Sequence, residues 1–186
     1  MTENRRNLWA PWRIDYLEGL VGEHPSPGAP PTLERGNGCF LCDAVRGDLT
    51  PQEAQDRLVL LCDHRGALML NRYPYANGHL LAVPHAHVPS LSSLTPEART
   101  GLMELAALAE RLLTRAMHAQ GVNLGMNLGR CAGAAEPGHI HLHAVPRWSG
   151  DVNFMQATGG LRVIPQALED SYQRLREALP QVEAGA

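Results

Sequence analysis

Lysine is missing from this 186-residue chain; all 16 of its cationic side chains are arginine. That excludes a lysine Schiff base and the lysine of a phosphate-binding loop, and leaves arginine or protonated histidine as the available catalytic cations. No stretch approaches the roughly 20 apolar residues of a membrane-spanning helix, so no membrane partner is expected. A net charge of -3 argues against a strongly basic face, and no nucleic-acid partner is expected either. The opening "MTENRRNLWAPWR" lacks the apolar core of a secretory signal, and the expected compartment is the cytoplasm. Four cysteines agree with a reducing setting. Only Cys39 and Cys42 are closely spaced, which points to metal or redox chemistry rather than a disulfide framework.

What is present suffices for one domain: 44% of the residues are hydrophobic, enough for a single core. Aromatics make up only 5%, so the N-terminal arm over residues 1–22, with "NLWAPWRIDYL", stands out. Trp9, Trp12 and Tyr16 either pack on the domain surface or carry the arm onto a partner subunit. Residues 23–37, "EHPSPGAPPTLERGN", read as a Pro/Gly-rich loop leading into a domain over 38–165. Within it "RLVLLCD", "GALMLNR" and "GHLLAVP" are short apolar runs bounded by turn residues, which predict strands. Asn77-Gly78 predicts a hairpin-like connection between the second and third. In "LTPEARTGLMELAALAERLLTRAMHAQG", Thr95 caps, Pro96 suits the first helical position and Glu97 the positive end. Leu102, Leu105, Ala109, Leu112 and Leu113 keep helical spacing, and Gly121 ends the run. "VNLGMNLG" and "HIHLHAVP" resume strand character. "PQALEDSYQRLREAL" predicts a helical extension over 166–186. The fold class is α+β with a mainly antiparallel sheet.

Three of the nine histidines fall within "GHIHLHAVPRW". Gly138 and Pro146 bracket them too tightly for a long helix. On a strand, His139, His141 and His143 share one face, and Ile140, Leu142 and Ala144 share the core face. The imidazoles then line a functional surface. Three alternate positions span roughly 13 Å, too far for one tetrahedral ion with bonds of about 2 Å, so a division of labour is expected. The middle ring does chemistry while its neighbours hold a metal or bind substrate. "CFLC" supplies half of a zinc site in Cys39 and Cys42. The remaining ligands come from His85, His87 and His139, with His64 and Cys62 as further candidates. A neutral imidazole whose other nitrogen donates to a carbonyl can attack phosphorus. The preceding "NLGRCAGAAEPG" has glycines that let backbone N–H groups approach phosphate oxygens.

These motifs together resemble the histidine triad (HIT) family. "HIHLHAV" matches its alternating histidine signature, "LNRYPYANGHLLAVPHAHV" its strand–turn–strand block, and "CFLC" its Cys-x-x-Cys. The longer branch of diadenosine polyphosphate phosphorylases is the nearest in kind, because "LWAPWRIDYL" and "VPRWSGDVNFM" look like its additions. The resemblance implies a HIT-like fold with a five-stranded, mainly antiparallel sheet, one long helix and a C-terminal helix. It implies cleavage of a dinucleoside polyphosphate through a nucleotidyl-histidine on His141, with transfer to phosphate or water. His143 would contact the phosphate, and His139 completes the catalytic set. It also implies structural zinc on Cys39, Cys42, His87 and His139, and a homodimer. Nucleotide contacts would come from Asn71, His79 and Asn127, with Gly133, Ala134 and Ala135 in the phosphate loop. In that loop many members offer Gln, Ser or Thr, whereas this chain presents Ala134, Ala135 and Glu136. That predicts a looser grip on phosphate, with Glu136 facing solvent or serving as an acid toward a leaving group. Two other readings stand beside this one: a nucleoside phosphoramidate or adenylyl-amine hydrolase, and a catalytically weak, zinc-stabilised nucleotide-binding module.

Overall fold

A computed structural model describes residues 38–151, 164 and 166–185. The N-terminal arm, the Pro/Gly-rich loop and the "VNFM" of the longer-branch motif lie outside them. Residues 35–149 and 164–186 form one unit. In chain order it contains α1 (Phe40–Ala44), α2 (Pro51–Asp56), β1 (Val59–Asp63), β2 (Gly66–Leu70) and β3 (Leu80–Val83). There follow α3 (Pro96–Met117), β4 (Gly121–Gly125), β5 (Leu142–Arg147) and α4 (Leu168–Ala184). The five strands make one antiparallel sheet in the order β1-β2-β3-β5-β4. The HIT-like α+β architecture is therefore the observed one. Among the described residues no helix is long and apolar enough to cross a membrane.

The central strands are buried on both faces, which is why "GALML" and "LLAV" read as unbroken apolar runs rather than alternating ones. Leu68, Leu70, Leu80 and Ala82 pack with α3 and α4 on one side. Ala67, Met69, Leu81 and Val83 pack with Cys39, Leu41 and Ala44 on the other. Helix α3 presents Leu102, Leu105, Ala109, Leu112 and Leu113 to the core, as its spacing predicts, and the Thr95 hydroxyl caps it by accepting from Ala98 N–H. Its end differs from expectation. His118 takes a left-handed conformation (φ 52°), and Ala119 N–H returns to Leu113 O at 3.3 Å. That closes the helix three residues before Gly121, which instead opens β4. On α4, Tyr172 Oη and Arg176 Nη1 donate to Val59 O and Leu60 O of the β1 edge strand, at 3.0 and 2.7 Å. Unpaired carbonyls of an edge strand thereby gain donors. Helix α2 was not anticipated, although "TPQE" carries its signal. Thr50 and Glu53 form a reciprocal capping box with Pro51 at the first turn.

Candidate active site and metal centre

The strand carrying the triad begins later than the alternation predicts. β5 starts at Leu142, so His139 and His141 lie in the segment just before it. The two faces still separate: Ile140, Leu142 and Ala144 enter the core. The imidazoles, however, do not line an open surface. His139 is fully enclosed, with Cys39 and Cys42 against its ring, and His141 is only 5% exposed.

His139 meets the cysteines. Its Nδ1 lies 3.5 Å from both Cys39 Sγ and Cys42 Sγ, and Cys42 Sγ lies 3.1 Å from His87 Nδ1. One ligand atom from each of these four residues falls within 4.8 Å of every other. Two main-chain features bring them together. His139 Nε2–H donates to Pro84 O at 2.9 Å, and Ile140 N–H donates to Val88 O at 2.8 Å. The segment bearing His87 is thus stitched to the one bearing His139. Two sulfurs and two nitrogens at this spacing fit a tetrahedral zinc site. The outer N–H of His139 is fixed by a carbonyl, as metal-bound imidazoles require. Burial pushes the Cys39 thiol up to about 11. Among the other candidates, His85 is turned away, donating from Nε2 to Asp63 O at 2.6 Å. Neither His64 nor Cys62 joins the group among the described residues.

His141 points its chemistry elsewhere. Its Nδ1–H donates to the carbonyl of His139 at 2.9 Å, which places the unshared pair on Nε2. Burial lowers its pKa, so the ring is held neutral. His143, on β5 opposite Leu81 of β3, lies next to it with ring centroids 5.0 Å apart. The position of its proton follows from a chain of bonds. Tyr75 N–H donates to His79 Nδ1 at 3.1 Å, with Asn71 Nδ2 3.3 Å from the same atom. His79 must therefore carry its proton on Nε2, which faces His143 Nδ1 at 2.9 Å. His143 accepts there and keeps its own proton on Nε2, as a donor. Burial, then the charges of His143 and His141, push His79 down to about 3, so His79 itself stays neutral.

The expected nucleotide contacts are distributed unevenly. His79 is fully buried, so any effect on a ligand passes through His143. Asn71 is engaged within its loop, its Oδ1 accepting from Tyr73 N–H at 3.0 Å. Asn127 Nδ2 reaches Gly133 O at 3.5 Å and braces the loop before the triad. Within that loop Gly133 N–H bonds Arg130 O and Ala134 N–H bonds Gly129 O, so both amides serve the local turn. Ala135 and Glu136 are half-buried; Glu136 does not stand out into solvent. Sequence reasoning missed Tyr75, whose backbone and ring both support the relay. Its ring lies 4.7 Å from His79 and stacks 6.0 Å from His143. The aromatic within the "YPYANGH" loop was the available signal.

Known proteins resemble this chain in sequence and fold. The HIT domain model matches residues 52–150. AP-4-A phosphorylase of Mycobacterium tuberculosis (strain H37Rv) is 36% identical over 91% of this chain and 82% of its own. The asymmetrical bis(5'-nucleosyl)-tetraphosphatase of Schizosaccharomyces pombe is 33% identical over 46% of each chain. A Zn-bound histidine triad family protein from Mycobacterium smegmatis superposes with a TM-score of 0.64 at 30% identity, covering 81% of this chain and 99% of that one. With a family model over half its length and a 36% identical relative along most of it, this chain belongs to the HIT domain family.

Proposed function

We propose that this protein is an enzyme that cleaves a dinucleoside polyphosphate of the diadenosine tetraphosphate type, with His141 as the nucleophile. The observation that carries the reading is the buried, neutral His141, whose Nδ1–H is tied to His139 O and whose Nε2 is left as the attacking atom. The names of the mycobacterial phosphorylase and the yeast tetraphosphatase support the substrate class. In the first step Nε2 bonds the α-phosphorus, and the bridging P–O bond breaks with its electron pair leaving on the nucleoside polyphosphate. His143 Nε2–H donates to a phosphoryl oxygen, where negative charge gathers. In the second step an oxygen of inorganic phosphate, or of water that gives up a proton to solvent, bonds phosphorus, and the P–N bond breaks with its electron pair returning to neutral His141.

Cys39, Cys42, His87 and His139 would hold a zinc ion, whose chemistry is structural. Two thiolates would balance its charge, and the four ligands would tie down the segment whose carbonyl orients His141. Four free cysteines suit a reducing cytoplasm, which belongs to the same reading.

Diadenosine tetraphosphate with and without phosphate tests the substrate and the acceptor. ATP plus ADP identifies phosphorolysis, and ATP plus AMP identifies hydrolysis. The loop with Ala134, Ala135 and Glu136 in place of hydroxyl-bearing side chains favours water. His141→Asn is expected to lose turnover by several orders of magnitude while still binding nucleotide; unchanged activity overturns the nucleophile. Cleavage of adenosine phosphoramidate alone would move the substrate to the amine class, and binding without any turnover would leave a nucleotide-binding module.

A further inference from the structure

The two histidines of the metal cluster differ in their support. His139 is enclosed, with its outer nitrogen on the Pro84 carbonyl. His87 is exposed, and its outer nitrogen, Nε2, lies close against Gly138. A β-carbon at position 138 would meet His87 Nε2 at 3.0 Å and Glu136 Oε1 at 3.6 Å. The missing side chain therefore lets an imidazole nitrogen and a carboxylate oxygen approach the same stretch of backbone. Glu136 is held close by its own backbone as well, since its carbonyl accepts from His139 N–H at 3.3 Å.

We propose that Glu136 is a positioning residue for the metal centre, accepting the Nε2–H of His87 through one water, beside a Gly138 whose missing side chain leaves the imidazole uncrowded. The proposal rests on the zinc reading given above. A cation on His87 Nδ1 obliges that ring to carry its proton on Nε2, and a carboxylate accepting it fixes the ring and makes it a better ligand. An exposed ligand gains most from such support, because packing does not hold it. Glu136 also belongs to the loop that leads into His141, so metal occupancy and the placement of that loop become linked.

Zinc-loaded full-length protein, titrated against a chromogenic chelator, tests this with E136Q, E136D and G138A beside the wild type. E136Q keeps the shape and removes the charge; zinc affinity is expected to fall about 10–100-fold. E136D should recover part of the loss, and G138A should weaken binding by pushing His87 aside. Cobalt-substituted E136Q should keep the visible bands of a tetrahedral two-thiolate site, showing that all four ligands remain in place. Equal zinc affinity in E136Q and wild type overturns the proposal, as does weakening in G138A alone or a cobalt spectrum lacking the thiolate signature. A wild-type chain that binds no zinc overturns the metal reading itself, and this proposal with it.

Discussion

His79 is a polar side chain with no exposure to solvent, and both of its ring nitrogens are committed. Accepting from Tyr75 N–H on one side and donating to His143 on the other, it cannot become an imidazolium without turning two N–H groups toward each other. Burial lowers His79 to about 3, and also lowers His139 and His141. The consequence for stability has a definite sign. Between a folded value near 3 and the ordinary 6.5, the unfolded chain binds the proton that the folded chain refuses. Stability is therefore complete above pH 6.5 and is lost as the pH falls toward 3. At pH 4 the loss from His79 alone is on the order of 3 kcal/mol, at roughly 1.4 kcal/mol per unit. Urea unfolding across this range should show the decline, and His79→Phe, which keeps the ring volume, should flatten it. A slope unchanged in His79→Phe would mean that the proton is taken up elsewhere. The same variant frees His143 Nδ1 of its donor, so kcat should fall while the overall fold remains.

At the level of the element, the β1–β2 hairpin is the least forgiving feature. Gly66 opens β2 with φ +132°, and a β-carbon there would fall 2.1 Å from Val83 O of β3. Nothing in that contact can yield, since it is backbone of a central strand. Gly66→Ala is expected to cost about 3 kcal/mol or more, seen as a large drop in Tm. A melting temperature within a degree or two of wild type would show that the sheet can shift to accept it. The hairpin also shows why some elements were readable and others were not. Apolar runs bounded by Gly, Asn and Pro marked β1, β2 and β3 because turn chemistry is local. The alternation of Ile140, Leu142 and Ala144 marked the core face of the triad for the same reason. The end of α3 was misplaced because His118 terminates it in a conformation usually left to glycine. The burial of His139 was not legible, since part of its cover is Cys39, 100 residues away. His79 belongs to the same class. Its partner His143 is 64 residues distant and is set beside it only by the β3–β5 register. The cysteine–histidine cluster was readable through family resemblance alone; spacing by itself left five candidate ligands open.

For the whole molecule, the remaining question is what lies against β4. Among the described residues this strand pairs only with β5, and its outer side forms an edge of the sheet. Leu124 is 44% exposed on it, and Leu128, just beyond, is 49% exposed. An edge strand carrying apolar side chains is a template for association unless something covers it. The homodimer expected from family resemblance would provide that cover, with two β4 edges meeting about a twofold axis. Light scattering is then expected to give twice the 20.3 kDa chain mass. Replacing Leu124 and Leu128 together by arginine should return it to one chain. A monomeric wild type removes the dimer, and a dimeric double variant removes β4 from its interface. Position makes the outcome matter for catalysis: Gly125, the last residue of β4, pairs with His143, and Asn127 braces the loop ahead of His141. An interface on β4 would steady the phosphate-facing side of the site from behind. The monomeric variant should therefore lose activity mainly through a higher KM, because the β4 edge meets the site at His143, which contacts phosphate, and not at the His141–His139 hydrogen bond.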